Sequence, residues 1–205
     1  MKFDLLRMGV VYLHLIACCI ALGTVFMSDL RLVRGLLRSE GGKVEADHLA
    51  GLHHTLARSL LALWVTGFAV VSMDVWKSGA DVMLNPKLQA KFFVVLLLTL
   101  NGLALERFVL PAMKKAGALM RLTLTNRLLA VFVGAVSAVS WFYAAALGVG
   151  RPLNWQFSLA QIMAAWPMLV FGGFFLMVTL TAWVEYVSRG GAAALERMPL
   201  RAVAR

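Results

Sequence analysis

The sequence predicts an all-α fold, a polytopic membrane helix bundle with five transmembrane helices, and three observations predict it. Hydrophobic residues make up 61% of the 205-residue chain and charged residues 15%, with a mean hydropathy of +0.81, too apolar for a water-soluble domain of this length. Five stretches, residues 5–26, 59–75, 92–110, 128–147 and 159–187, come near or reach the roughly 20 apolar residues that cross a bilayer core. The cations between these stretches segregate by side, fourteen against six. The spans consume most of the chain, so residues 1–205 read as a single transmembrane domain.

The first span contains "VYLHLIACCIALGTVF". Its basic start, Lys2 and Arg7, resembles a leader, but the apolar run is longer than a leader core. No small-residue exit follows, since Phe26, Met27 and Asp29 come next; it reads as a retained helix. Residues 29–58 form a cytoplasmic loop that opens with a basic amphipathic helix. Leu30, Val33 and Leu37 share one face and Arg31, Arg34 and Arg38 another, a pattern suited to anionic headgroups and equally to a solvated helix end.

"SEGG" at 39–42 breaks this helix, and His48, His53 and His54 cluster before the second span. The loop "DVWKSGADVMLNPKLQAK" carries the Gly and Pro punctuation of a turn into the third span. In the last span, Pro167 and "FGGFF" predict a kink or a close helix approach. Residues 188–205 read as a basic cytoplasmic tail. The six Trp, with Tyr186, fall largely near span ends, as an aromatic belt requires.

Orientation follows from the count of cations. Arg31, Arg34, Arg38, Lys43, Arg58, Arg107, Lys114, Lys115, Arg121, Arg127 and the tail arginines share one face; Lys2, Arg7, Lys77, Lys87, Lys91 and Arg151 share the other. The positive-inside rule puts the amino terminus outside and the carboxy terminus in the cytoplasm, and the expectation is a multi-pass protein of a bacterial inner membrane. The net charge of +10 is thereby explained without a nucleic-acid partner. Cys18 and Cys19 are adjacent within a span and form no staple.

An ionisable side chain inside a span costs several kcal/mol unless it is neutral, paired or coordinated, and His14 is the clearest case. Helical spacing places Arg7, Val11, His14 and Cys18 on one face. Such a face could hold a haem, with His14 on the iron and Arg7 on a propionate; a neutral imidazole bonded to a neighbouring helix is the alternative. At about 1.5 Å per residue His14 lies roughly 12 Å below the outer boundary, within reach of Lys91 at the start of the third span.

His53 and His54 are roughly 20 Å away by the same rise and would need a second metal or haem site of their own. His14 and Cys18, an imidazole and a soft thiol four residues apart, offer a copper alternative. Glu106 is expected to pair with Arg58, Arg127 or another cation on its side. No phosphate loop, dinucleotide fingerprint, zinc-protease motif or nucleophile elbow occurs.

"VVYLHLIACCIALGTVFMSDLRLVR", "HHTLARSLLALWVTGFAVV", "LQAKFFVVLLLTLNGLALER" and "TLTNRLLAVFVGAVSAVSWFYAAALG" resemble, in order and texture, the small haem-containing membrane proteins of the HemJ-type protoporphyrinogen oxidase group and the related copper-resistance-D-like proteins. The resemblance covers residues 8–148. It implies that His14 is the haem ligand and that Lys91 is functionally essential, a catalytic residue or second ligand. Where that group has a histidine beyond the middle of the lysine-bearing span, this chain has Asn101 and Gly102.

The leading expectation is therefore a protein that binds haem b and takes part in oxidation or electron transfer with a hydrophobic substrate, a porphyrinogen or a quinone. It would be a haem-dependent membrane oxidoreductase. The others are a copper-handling or transport protein using His14 and Cys18, and a non-catalytic subunit docking a partner through its basic cytoplasmic face. Small-residue faces such as "GAVSAVS" are of the kind through which bundles form homo-oligomers or bind a partner subunit.

Overall fold

A chain embedded in lipid has no water to satisfy its peptide groups, so its backbone hydrogen bonds must close within helices. The computed structural model describes residues 2–38, 46–150 and 155–196, with the side chains of 46–50 and 189–196 excepted. The expected "SEGG" break, Lys43, Arg151, the side chain of His48 and the tail beyond Glu196 lie outside the described residues.

In chain order the helices are α1 (Lys2–Leu37), α2 (Ala46–Ser78), α3 (Pro86–Ala104), α4 (Leu110–Ala116), α5 (Leu124–Val149) and α6 (Leu159–Glu196), and no strand occurs among the described residues. A π turn at Leu105–Val109 joins α3 to α4, and the pair counts as one of five helices long and apolar enough to cross a membrane. The protein is an all-α, multi-pass membrane protein.

Local chemistry sets the ends. Asn85 Oδ1 accepts from the Lys87 N–H at 3.0 Å while Pro86 takes the first position of α3, where its missing N–H costs nothing. Ser158 and Gln161 cap α6 reciprocally, each side chain accepting from the other's backbone N–H at 3.3 and 2.9 Å. Gly117, at φ +73°, stops α4 in the left-handed conformation that a side chain disfavours. Pro111 provides no N–H to the carbonyl of Arg107 and crowds it, and the widened turn at Leu105–Val109 lies where that helical bond is missing.

The helices overrun the apolar stretches. α1 continues unbroken through the basic segment to Leu37, and the residue of that segment turned fully inward is Leu36, off the face shared by Leu30, Val33 and Leu37. Leu36 is 0% exposed, packed with Val109, Met113, Leu119, Leu122, Val131 and Val133 with Leu32 beside it, whereas Leu37 is 53% exposed. The apolar socket between α4 and α5 selects which side of the segment turns inward. α2 likewise begins before its apolar part, so His53 and His54 stand on the helix itself.

In lipid, apolar side chains gain little by leaving one another for the acyl chains, so small residues and polar links fix the packing. α1 and α2 run antiparallel in one register: Asp4 meets Lys77, Arg7 meets Asp74, and His14 meets Thr66. Ala17, Ala21 and Val25 then pack in one cluster with Leu63, Leu60 and Leu56. α3 is buried along Ala90, Val94 and Leu98, bonds α5 through Asn101 Nδ2 to the Val133 carbonyl at 3.2 Å, and shares the clusters of both halves.

α6 joins α5 by the Trp166 indole on Ser140 Oγ at 2.9 Å, the Tyr143 hydroxyl on the Ile162 carbonyl, and Arg127 on Glu185 at 3.0 Å. Gly173 of "FGGFF" faces α5, where a Cβ would meet Val139 at an ordinary 3.7 Å. The aromatic belt is only half of what the tryptophans form: Trp76, Trp155 and Trp183 are exposed, but Trp141 is 4% exposed and Trp64 and Trp166 bond across helices.

Candidate functional site

His14 stands midway along the α1–α2 contact with its ring half-buried. Its Nδ1 lies 2.8 Å from Thr66 Oγ1. Thr66 in turn donates its hydroxyl proton to the Ala62 carbonyl of its own helix at 2.6 Å, with the Leu63 carbonyl at 3.5 Å, the usual return of a helical threonine to the preceding turn. Gly67 is the next residue of α2 beside the ring, and a Cβ on it would meet His14 Cε1 at an ordinary 3.6 Å. Nε2 makes no hydrogen bond with any described residue. It is not sealed away either, because no buried side-chain nitrogen or oxygen among them lacks a partner.

Lys91 reaches the same place from α3. It is half-buried, one position round the helix from the fully buried Ala90, and its ammonium interacts electrostatically with both His14 and Cys18. The third helix is held at this level by rings and one hydrogen bond. Phe92, beside Lys91, lies 5.6 Å from Phe68 and 6.1 Å from Trp64, and the Trp64 indole donates to Thr99 Oγ1 at 3.1 Å. Phe68 is two residues from Thr66 in sequence, so these contacts fix the level of α3 along α2 near that of Thr66.

His14 and Cys18 stand one turn apart on α1, and Lys91 of α3 comes within electrostatic range of both. Arg7 is on the same face of α1 but two turns away, engaged through Nε and Nη2 with Asp74 at 2.6 and 3.1 Å. A cleft of about 420 Å³ opens there, lined by Asp4, Arg7, Met8, Val11, Asp74 and Lys77.

The remaining sequence candidates stand apart. His53 and His54 lie about 20 Å from Thr66 along α2 at 1.5 Å per residue, their rings 6.2 Å apart, and His53 Nε2 is 3.5 Å from Glu106 Oε2. The expected partners of Glu106 are otherwise engaged or absent from it: Arg127 is on Glu185, and the side chain that meets Glu106 is the His53 imidazole, across from the π turn. Among the described residues no three His, Cys, Asp or Glu side chains gather as a metal site. His53 and His54 stand one after the other on α2, the side chain of His48 lies outside the described residues, and His14 with Cys18 offers copper two donors.

Thr66, Gly67 and Asp74 belong to the site or its frame and are not prominent in the sequence. Asp74 carried a signal, being an acid at the end of the second span at a position complementary to Arg7 once the first two spans are folded antiparallel. Thr66 and Gly67 carried none, since both are ordinary residues in transmembrane helices. No protein-family model, curated protein or solved structure matches the chain.

Proposed function

We propose that the chain is a b-type-haem-binding protein of a bacterial inner membrane, with its amino terminus outside and its carboxy terminus in the cytoplasm. It takes part in oxidation or electron transfer with a hydrophobic substrate such as a porphyrinogen or a quinone. The observation that supports this reading is His14 itself, an imidazole within an apolar helix whose Nδ1 is hydrogen-bonded, whose Nε2 is open, and beside which Lys91 carries an amine.

A haem brings four nitrogen donors of its own and asks the protein for one or two more. One imidazole with an amine alongside meets that demand, whereas copper held by protein donors alone asks for more than His14 and Cys18. The haem when bound supplies one-electron chemistry within the bilayer. The residues of the chain would hold and orient it: His14 would ligate, with Gly67 beside its ring, and Lys91 would serve as second donor or as contact for a carboxylate of haem or substrate. Arg7 adds positive charge toward the end of α1 where propionates would reach, shared with Asp74.

The test is the haem-to-protein ratio of wild type and His14→Ala, expressed and purified in parallel from a haem-replete host. The proposal expects haem in the wild type and its loss in the variant. An equal haem content in His14→Ala would refute it.

A further inference from the structure

We propose that Thr66 is a positioning residue that holds His14 in the Nδ1–H tautomer and so makes Nε2 the ring atom with a free lone pair. The assignment follows from counting protons. A threonine hydroxyl has one proton and two lone pairs, and at 2.6 Å from the Ala62 carbonyl that proton lies between the two oxygens. Were it turned toward His14 instead, two oxygens would face each other at 2.6 Å with no hydrogen between them. The lone pair that Oγ1 directs at His14 can only accept, and the contact at 2.8 Å therefore needs a proton on Nδ1.

A neutral ring has one such proton, so Nε2 is bare, and charging the ring inside a span is costly. The chain from the Ala62 carbonyl through the Thr66 hydroxyl to the imidazole has the form found behind metal-bound histidines, in which the second ring nitrogen donates outward and fixes both tautomer and orientation. Gly67 lies beside the ring, where an added Cβ would stand 3.6 Å from Cε1. The use of Nε2 for iron rests on the function proposed above; the tautomer does not, because it is set by hydrogen bonds within the protein.

The experiment uses full-length protein labelled with ¹⁵N-histidine, purified in detergent without added haem, and reads which ring nitrogen of His14 shows a one-bond coupling to hydrogen. His14→Gln identifies the signal among the four histidines. The expected result is the proton on Nδ1 in the wild type, transfer of the majority to Nε2 in Thr66→Val, and return to Nδ1 in Thr66→Ser. Haem added to the same preparations should bind about 10-fold more weakly to Thr66→Val than to wild type and be restored in Thr66→Ser, as for other residues behind a metal ligand. A wild-type signal with the proton on Nε2 overturns the proposal whatever the variants do, as does an unchanged Nδ1–H in folded Thr66→Val. Nδ1–H in the wild type, lost in Thr66→Val, from a protein that takes up no haem supports the role of Thr66 and contradicts the haem reading.

Discussion

Arg7 and Asp74 face each other across the first two helices, Nε on Oδ1 at 2.6 Å and Nη2 on Oδ2 at 3.1 Å, and the same register carries His14 onto Thr66. The guanidinium fork matches the carboxylate edge to edge, which makes the pair directional as well as attractive. A second pair, Lys77 on Asp4 at 3.1 Å, continues it outward.

Breaking the first pair loosens the frame without touching the imidazole. Asp74→Asn is expected to lower stability by about 1 kcal/mol, the upper end for a partly exposed pair. Haem content should be undiminished, because Arg7 is then released toward a propionate. Thermal unfolding in detergent followed by haem absorbance reads both; a variant as stable as wild type but devoid of haem would contradict the assignment.

Gly67 is the position on α2 whose added side chain would first meet the His14 ring. Gly67→Ala places its methyl at an ordinary 3.6 Å from His14 Cε1 and gains helix propensity of about 0.5–1 kcal/mol, so haem content and stability are expected to hold or rise. Gly67→Leu fills the space of the imidazole and should lower haem content at least 10-fold. Equal haem in both variants would show that the ring does not sit against α2.

Lys91→Met keeps the apolar length of the side chain and removes the amine. Packing around Ala90, Val94 and Leu98 should survive, with stability within about 1 kcal/mol of wild type, while electron transfer to a quinone analogue falls at least 10-fold. Unchanged turnover would remove Lys91 from the site.

Cys18→Ser separates haem from copper. Haem content should be unaffected, since the thiol is one turn from His14 and the haem reading uses only the imidazole and amine. Stoichiometric copper bound by the apoprotein and lost in Cys18→Ser would favour the copper reading.

Asn101 donates to the Val133 carbonyl and links α3 to α5. Interhelical hydrogen bonds in membranes are worth about 0.6 kcal/mol on average and up to about 1.7. Asn101→Leu should cost that much in stability with no loss of haem. Loss of haem at full stability would make Asn101 part of the site.

Hydropathy located all five spans because it reads what lipid demands of a side chain. It could not read where helices end, because peptide hydrogen bonds continue through polar residues; α1 therefore runs on to Leu37 and α2 starts before His53. His14 and Lys91 were legible because an imidazole and an ammonium are conspicuous among apolar residues. Thr66 was not, because a β-branched residue in an apolar run looks like packing until a neighbouring helix places a nitrogen 2.8 Å from its oxygen. The π turn that presents Glu106 to His53 is equally silent, since Pro111 announces a disturbance but not its form.

The central claim is that His14 holds a haem iron inside the membrane. The most direct measurement is a dithionite-reduced minus air-oxidised visible spectrum of the detergent-purified wild-type protein from a haem-replete host. The account predicts a sharp reduced α band of b type; a featureless spectrum from folded protein would contradict it.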